Sequence, residues 1–370
     1  MNTLQQQIDR ARAEIKTDGY TQSISEWISL YEKEEIHISP AFQRFFRWTL
    51  EQKSSLIESI LLGIPIPPIF VAQRNDNVWE VIDGLQRLST IYEFVGILKD
   101  KDGKVKPPLT LAGTKYLSEL EGKQWEKNEI NQNNCFNPDQ RLLVKRSKIG
   151  VSILLTADDG KSKYELFQRL NTGGTALSEQ EVRNAIMVML DEEFFDKVAS
   201  AAEYEPFVEC VSLTENSLSQ RYDMELVTRF LVLKNASLDD LNKVGDLNNY
   251  LTNNLIDLIN NNKIDIDLEL QQFRKTFDFL HSELGSDSMK RYNQGKDKFE
   301  GGFVITAFEI VALGVSSNIQ CTEKYQKPFK NMIKRLWVEE KITSYGSGGV
   351  RASTRIPRTI LMGRKFFNCG

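Results

Sequence analysis

Residues 78–92 read VWEVIDGLQRLSTIY, and the change of period inside this stretch decides the fold. Val78 to Ile82 is a short β-branched run, the composition of a strand. From Leu88 onward Ile91, Tyr92, Val95 and Leu98 recur at helical spacing. Between the two stands Asp83-Gly84-Leu85-Gln86-Arg87. A helix entered through a glycine turn leaves its first N–H groups without intrahelical partners, at the positive end of its dipole, and such an end suits a phosphate. Asp83, at the strand end, can hold Mg²⁺ or orient a water, and Arg87 can grip phosphate oxygens with two prongs. The same residues have a plain structural use, because Asp-Gly is a common turn and Asp and Arg four apart form a local salt bridge.

Outward from this stretch, Ile69 to Ala72 predicts a strand that pairs with Val78–Ile82 as a hairpin through Asn75-Asp76-Asn77. Leu50, Ile57, Ile60 and Leu61 predict a helix over 50–62 that Gly63 and the prolines at 65, 67 and 68 must end. Pro40 and the run Phe42 to Trp48, dense in aromatics and arginine, form a core plug or a ligand wall. Ile24, Trp27, Ile28 and Tyr31 predict an amphipathic helix over 20–35. Downstream, residues 100–147 are polar and broken by Pro107-Pro108, so they read as an insertion without core or chemistry. Ile149 to Leu155 predicts a further strand, followed by a helix near 161–170. Asn171, Thr172, Gly173, Gly174 and Thr175 then form a loop of small and polar residues that can wrap a phosphate or ribose, or simply join two helices. Ser178 with Glu181 makes a capping box for a helix buried through Val182, Ala185, Ile186 and Met189.

Beyond residue 191 helical spacing dominates. The expectation is an α+β chain: a mixed α/β domain over 1–195 with a polar insertion at about 100–147, an all-α domain over 196–340, and a basic segment over 341–370. The 370 residues exceed what one core usually supports. With 41% hydrophobic and 26% charged residues the composition is globular. A start without a signal-like apolar core and the absence of an 18-residue apolar run set the expectation of a cytoplasmic protein without a membrane span. Cys135, Cys210, Cys321 and Cys369 stand far apart without a CxxC pair and read as reduced thiols. A net charge of −4 confines any DNA contact to a local patch, and Arg351, Arg355, Arg358 and Arg364 sit in a C-terminal segment without an acidic residue. With only His37 and His281, no histidine nuclease centre can be assembled; P-loop and GxSxG signatures are absent as well.

Four ordered motifs resemble the DUF262 family, the N-terminal domain type of GmrSD-like restriction systems. They are Pro40 with Phe42-Gln43-Arg44-Phe45-Phe46-Arg47-Trp48; Gly63-Ile64-Pro65-Ile66-Pro67-Pro68; Asp83-Gly84-Leu85-Gln86-Arg87-Leu88; and Asn171 through Ser178. The resemblance implies a ParB/sulfiredoxin-like fold, binding and hydrolysis of an NTP, and a role in defence against phage DNA; the reading of Asp83 adds Mg²⁺ as the expected cofactor, and a separate nuclease or ATPase is the expected partner. The resemblance assigns catalysis to Asp83, Gln86 and Arg87, with Asp83 as metal ligand, and nucleotide contacts to Gln43, Arg44, Gly84 and Asn171 through Gly174. Leu85 departs from the family's glutamine, so either a polar contact is lost or the position accepts an apolar side chain. A module that binds nucleotide or DNA without hydrolysis is the alternative.

Overall fold

The structure, a computed structural model, describes residues 3–6, 17–38, 48–74, 76–100, 102–127, 134–155, 179–261, 265–325, 327–338, 342 and 350–369. The chain divides into two compact units, residues 1–176 and 177–370. The first unit is built on a five-stranded mixed sheet and the second is mainly helical, so the fold is α+β. Among the described residues no helix is long and apolar enough to cross a membrane.

In the first unit the chain runs β1 (Thr17–Ser23), α1 (Ile24–Glu32), β2 (Ile36–His37), α2 (Leu50–Leu62), β3 (Ile69–Gln73), β4 (Trp79–Asp83), α3 (Leu85–Val95), α4 (Pro138–Arg146) and β5 (Lys148–Leu154). Strand order is β1-β5-β3-β4-β2. The hairpin β3–β4 is antiparallel, and β5 returns parallel to β3. Ile69, Val71, Val81, Ile149 and Val151 fill the sheet's buried positions, and Trp27, Ile57, Leu88, Ile91 and Phe94 supply the helical side of the core. Thr49 opens α2 with a capping box to Gln52, and Gly63 closes it in the left-handed region at φ 67°.

The polar strand β1 replaces the start of the helix expected over 20–35. Its TDGYTQS sequence has no alternation to betray it, because it is an edge strand paired only with β5. Ser23 ends the strand and caps α1, accepting the Glu26 N–H at 3.2 Å. Residues 100–147 likewise depart from the reading as an insertion. Leu109, Leu111, Leu120, Trp125, Phe136 and Val144 are buried, and the Phe94 ring lies 5.5 Å from Trp125 and 5.0 Å from Phe136. These apolar residues are few and irregularly spaced, so no period revealed them. The segment is also tied down by Glu58 of α2, which accepts from the Thr114 hydroxyl and from the N–H groups of Tyr116 (2.9 Å) and Leu117 (3.0 Å).

In the second unit the longer helices are α5 (Glu179–Leu190), α6 (Glu192–Ala202), α7 (Tyr222–Leu233), α8 (Leu247–Asn261), α9 (Ile266–Leu284), α10 (Phe329–Val338) and α11 (Ala352–Phe366); a hairpin of β6 (Arg291–Asn293) and β7 (Lys298–Glu300) precedes a π-helical turn, Phe308–Ala312. Phe273 of α9 centres an aromatic cluster, 5.1 Å from Phe207, 5.0 Å from Phe230 and 4.6 Å from Phe277. The expected basic C-terminal segment is in large part helix α11, built into this unit through Ile356, Thr359, Ile360 and Gly363. A Cβ on Gly314 would stand 2.7 Å from the Gly363 carbonyl carbon, so both positions exclude larger residues. Cys321 and Cys369 form a disulfide with Cα atoms 5.6 Å apart, which corrects the reading of four reduced thiols. Folding closes a separation of 48 residues that the sequence leaves open. Cys210 stays a buried free thiol, and burial pushes its pKa up to about 11.

Truncating Trp125 to alanine should cost about 3–5 kcal/mol, as for other buried tryptophans, read as a lower denaturant midpoint at unchanged slope. A surface insertion would lose less than about 0.5 kcal/mol. The Thr114 hydroxyl, with help from the Tyr116 and Leu117 N–H groups, holds the Glu58 carboxyl below its usual range. Folded protein then binds fewer protons there than unfolded protein, so the stabilisation is present at neutral pH and lost as pH falls through the carboxylate range. Glu58→Gln should lower the thermal midpoint more near pH 7 than near pH 4.

Candidate functional site

The turn from β4 into α3 is shaped by a register shift: Phe70 pairs with Asp83 but Val71 with Val81, which leaves Ile82 as the extra residue of a bulge. A bulge of this kind re-aims the residues after it. Gly84 follows at φ 94°, in the left-handed region, and a Cβ there would collide with the Ile69 side chain. Two constraints therefore require glycine, one conformational and one steric. Among the described residues no side chain caps the start of α3, and its first helical hydrogen bond runs from the Leu88 N–H to the Gly84 carbonyl at 3.0 Å. The N–H groups ahead of Leu88 thus lie at an uncapped positive helix end. Leu85 is buried, which explains the departure from the family's glutamine: the position faces the core.

Arg87 is clipped into the protein. Its Nη1 donates to the carbonyls of Pro67 and Pro68, the latter at 3.1 Å, and its Nη2 to Asp83 Oδ2 at 2.7 Å. The Arg87 side chain is 12% exposed and that of Asp83 46%. The two-pronged grip read from the sequence as a grip on phosphate is, in this state, a grip on the proline turn and on the strand end. Gln86 is engaged as well, its Oε1 accepting the Trp48 N–H at 3.1 Å. The start of α3 thereby gathers the end of the aromatic-arginine run, the proline turn and the strand end into one place. Sequence reasoning placed Asp83, Gln86 and Arg87 together but missed the backbone of Trp48, Pro67 and Pro68 as their partners. Carbonyls carry no side-chain signature, and the only available signal was the spacing of the prolines.

Gln43, Arg44, Asn171, Thr172, Gly173, Gly174 and Ser178 lie outside the described residues. Among the described residues no three His, Cys, Asp or Glu side chains are grouped to hold a metal ion. The C-terminal arginines assigned to DNA divide into two kinds. Arg351, the residue ahead of α11, and Arg358, on it, are exposed. Arg355 instead binds Glu309 through Nε (3.0 Å) and Nη2 (2.9 Å), and Arg364 donates to the carbonyls of Lys234 and Ala236 at 2.8 Å. Both are structural, because the π-helical turn presents Glu309 to α11 and the end of α7 exposes its last carbonyls.

Residues 24–188 match the family model described as GmrSD restriction endonuclease, N-terminal domain. This segment belongs to that family. The GmrSD-type domain so defined begins at α1, includes the Asp83–Arg87 turn, and ends within α5. A solved structure of a Pnob8-like ParB-N domain aligns at 11% identity over 87% of this chain and 98% of its own, with a TM-score of 0.27, too slight a likeness to bear on the fold. No curated protein matches the sequence.

Removing the clip in Arg87→Ala should lower the denaturant midpoint without any ligand present, by about 0.5–1.5 kcal/mol for each bond lost, since the Pro67 and Pro68 carbonyls are exposed and can turn to water. Arg87→Lys, a point charge without the planar fork, should recover only part of the loss. Arg355→Ala should cost about 3–5 kcal/mol, the usual consequence of stranding a buried carboxylate, since Glu309 is fully buried.

Proposed function

We propose that the GmrSD-type domain binds a nucleoside triphosphate at the start of α3 and hydrolyses it, as the nucleotide-handling component of a restriction-like system directed against phage DNA. The observation that carries this reading is the uncapped N-terminus of α3 behind Gly84, with Asp83, Gln86 and Arg87 gathered around it. Backbone N–H groups and the helix dipole favour a phosphate there. Arg87 exchanges Asp83 for a phosphate oxygen, and the Asp83 carboxylate so released is the group that would hold a Mg²⁺ brought by the nucleotide, a metal that would offset the phosphate charge and commonly takes one or two carboxylates plus phosphate oxygens. Gln86 orients the attacking water. The DNA-cutting step falls to a separate nuclease, because the chain's two histidines lie far apart in sequence and outside any nuclease motif.

A second reading, a sensor that binds nucleotide without turnover, is favoured by one observation: Gln86 and Arg87 already have protein partners. Asp83→Asn separates the two, since the amide keeps an oxygen for Arg87 and removes only the charge. Thermal shift and phosphate release should be measured with ATP, GTP, CTP and UTP plus Mg²⁺, with and without DNA. A nucleotide at a hundred times its Kd should add about 2.7 kcal/mol. For the enzyme, Asp83→Asn keeps the stabilisation and loses phosphate release. Stabilisation without release in the wild type selects the sensor, and no stabilisation by any nucleotide overturns both.

A further inference from the structure

The second unit carries a strongly basic face that the reading above leaves unused. It is formed where the β6–β7 hairpin meets α10. Lys327, Lys330 and Lys334 each stand over an aromatic ring, with Nζ 5.4 Å from the centroid of Phe279, 5.3 Å from Phe299 and 5.3 Å from Tyr292. The hairpin and its approach add Lys290, Arg291, Lys296 and Lys298. Four carboxylates meet these lysines. Glu283 pairs with Lys327, Asp287 with Lys330 and Lys290, Asp297 with Lys334, and Glu300 with Lys296 and Lys298. Among the described residues six lysines therefore share four carboxylates and Arg291 adds a seventh cation, an excess of three positive charges in this set on a chain whose formal net charge is −4.

We propose that this face is a contact surface for the phosphate backbone of double-stranded nucleic acid. Lysine ammonium groups held over rings are partly fixed, so less side-chain freedom is lost when a phosphate binds. Lys330 and Lys334 sit one helical turn apart, about 6 Å along the axis. The hairpin is a narrow ribbon with Lys296 and Lys298 well exposed, and a Cβ at Gly301 or Gly302 would meet no heavy atom within 4 Å, so the backbone beside it is open to close approach. A two-stranded ribbon of this kind fits the major groove. A membrane surface fits less well: the large exposed apolar side chain of these segments is Val338 alone among the described residues, where an interfacial helix needs an apolar face. Surface carboxylates are weak competitors, because exposed pairs are worth little and are screened.

The inference deepens the DNA-directed part of the proposed function and is tested apart from its nucleotide part. Fluorescence anisotropy of a labelled ~20-bp duplex with the full chain is read between about 50 and 200 mM salt. Wild type should lose at least ~40-fold in affinity over that range, the loss for three phosphates neutralised. Arg291→Gln/Lys296→Gln/Lys298→Gln, all at exposed positions, should flatten the slope of log K against log salt by about 2.7 with an unchanged thermal midpoint. Arg351→Gln/Arg358→Gln at α11 should leave the slope as it is, and Asp83→Asn should bind the duplex like wild type. Should the triple variant lose its midpoint, the three single variants take its place, each flattening the slope by about 0.9. Absence of wild-type binding at low salt, a triple or single variant with the wild-type slope, or binding to phosphatidylserine vesicles but not to duplex overturns the proposal. Nucleotide-induced stabilisation that survives in the triple variant separates a failure here from a failure at α3.

Discussion

One guanidinium organises the region where strand β4 becomes helix α3. Pro67 and Pro68 have no N–H to offer, so their stretch of chain cannot be fixed by donating to a sheet. It is fixed by accepting, and Arg87 is the donor. The third bond of the same group, to Asp83, ties the strand end back to the first turn of the helix. Gly84 permits this geometry because any side chain would strike Ile69, and Leu85 secures it by turning into the core. A planar fork with five donors can do this where an ammonium cannot. The proline turn, the bulge at Ile82 and the glycine are thus three parts of one arrangement.

The second unit depends on charge in a different way. Arg183, Glu225, Arg229, Glu309 and Arg355 alternate in sign across α5, α7, the π-helical turn and α11. Burying such groups is costly, and their attraction offsets that cost only when the hydrogen bonding is nearly complete. Glu309 meets this condition, taking bonds from Arg355 and from the Thr359 hydroxyl at 2.8 Å. The residue added to the turn by the π-helix changes which side chains face inward, and here an acid faces inward between two helices that each bring an arginine. Neighbouring Gly314 and Gly363 let α11 approach closely enough for Arg355 to reach it.

What was legible in the sequence follows from whether the relevant force leaves a local pattern. The hairpin β3–β4, the helix ended by Gly63 and the glycine turn at 84 were readable because period, helix stop and turn chemistry are all short-range. The strand β1 was not, since an edge strand need not alternate, and the burial of Trp125 and Phe136 was not, since two aromatics thirty or more residues beyond Phe94 form no period with it. At the site, the grouping of Asp83, Gln86 and Arg87 was readable from their spacing. That Arg87 holds carbonyls rather than open solvent was not, because the partners are backbone atoms about twenty residues away. That Arg355 and Arg364 turn inward was hidden for a related reason: charge along a sequence does not tell which cations fold to meet Glu309 or a helix end.

The two candidate binding regions differ in the physics available to them. At α3 the Asp83–Arg87 pair is neutral, so it exerts little attraction at a distance and a ligand is selected only by short-range contacts: helix N–H groups, and the choice Arg87 makes between Asp83 and a phosphate. Its three present bonds are each worth about 0.5–3 kcal/mol net, so a phosphate must compete for that arginine rather than find it waiting. Such a site suits a small ligand whose binding has to alter the protein, because taking Arg87 from Asp83 loosens the tie between the strand end and the first turn of the helix. The face on α10 and the β6–β7 hairpin is the opposite case. Its cations outnumber their carboxylates, three of the ammonium groups stand over rings, and only exposed, solvent-screened ion pairs must loosen for a phosphate chain to lie across them. Attraction there is long-range, additive and sensitive to salt, the behaviour that a polyanion with many equivalent charges requires and a single nucleotide does not.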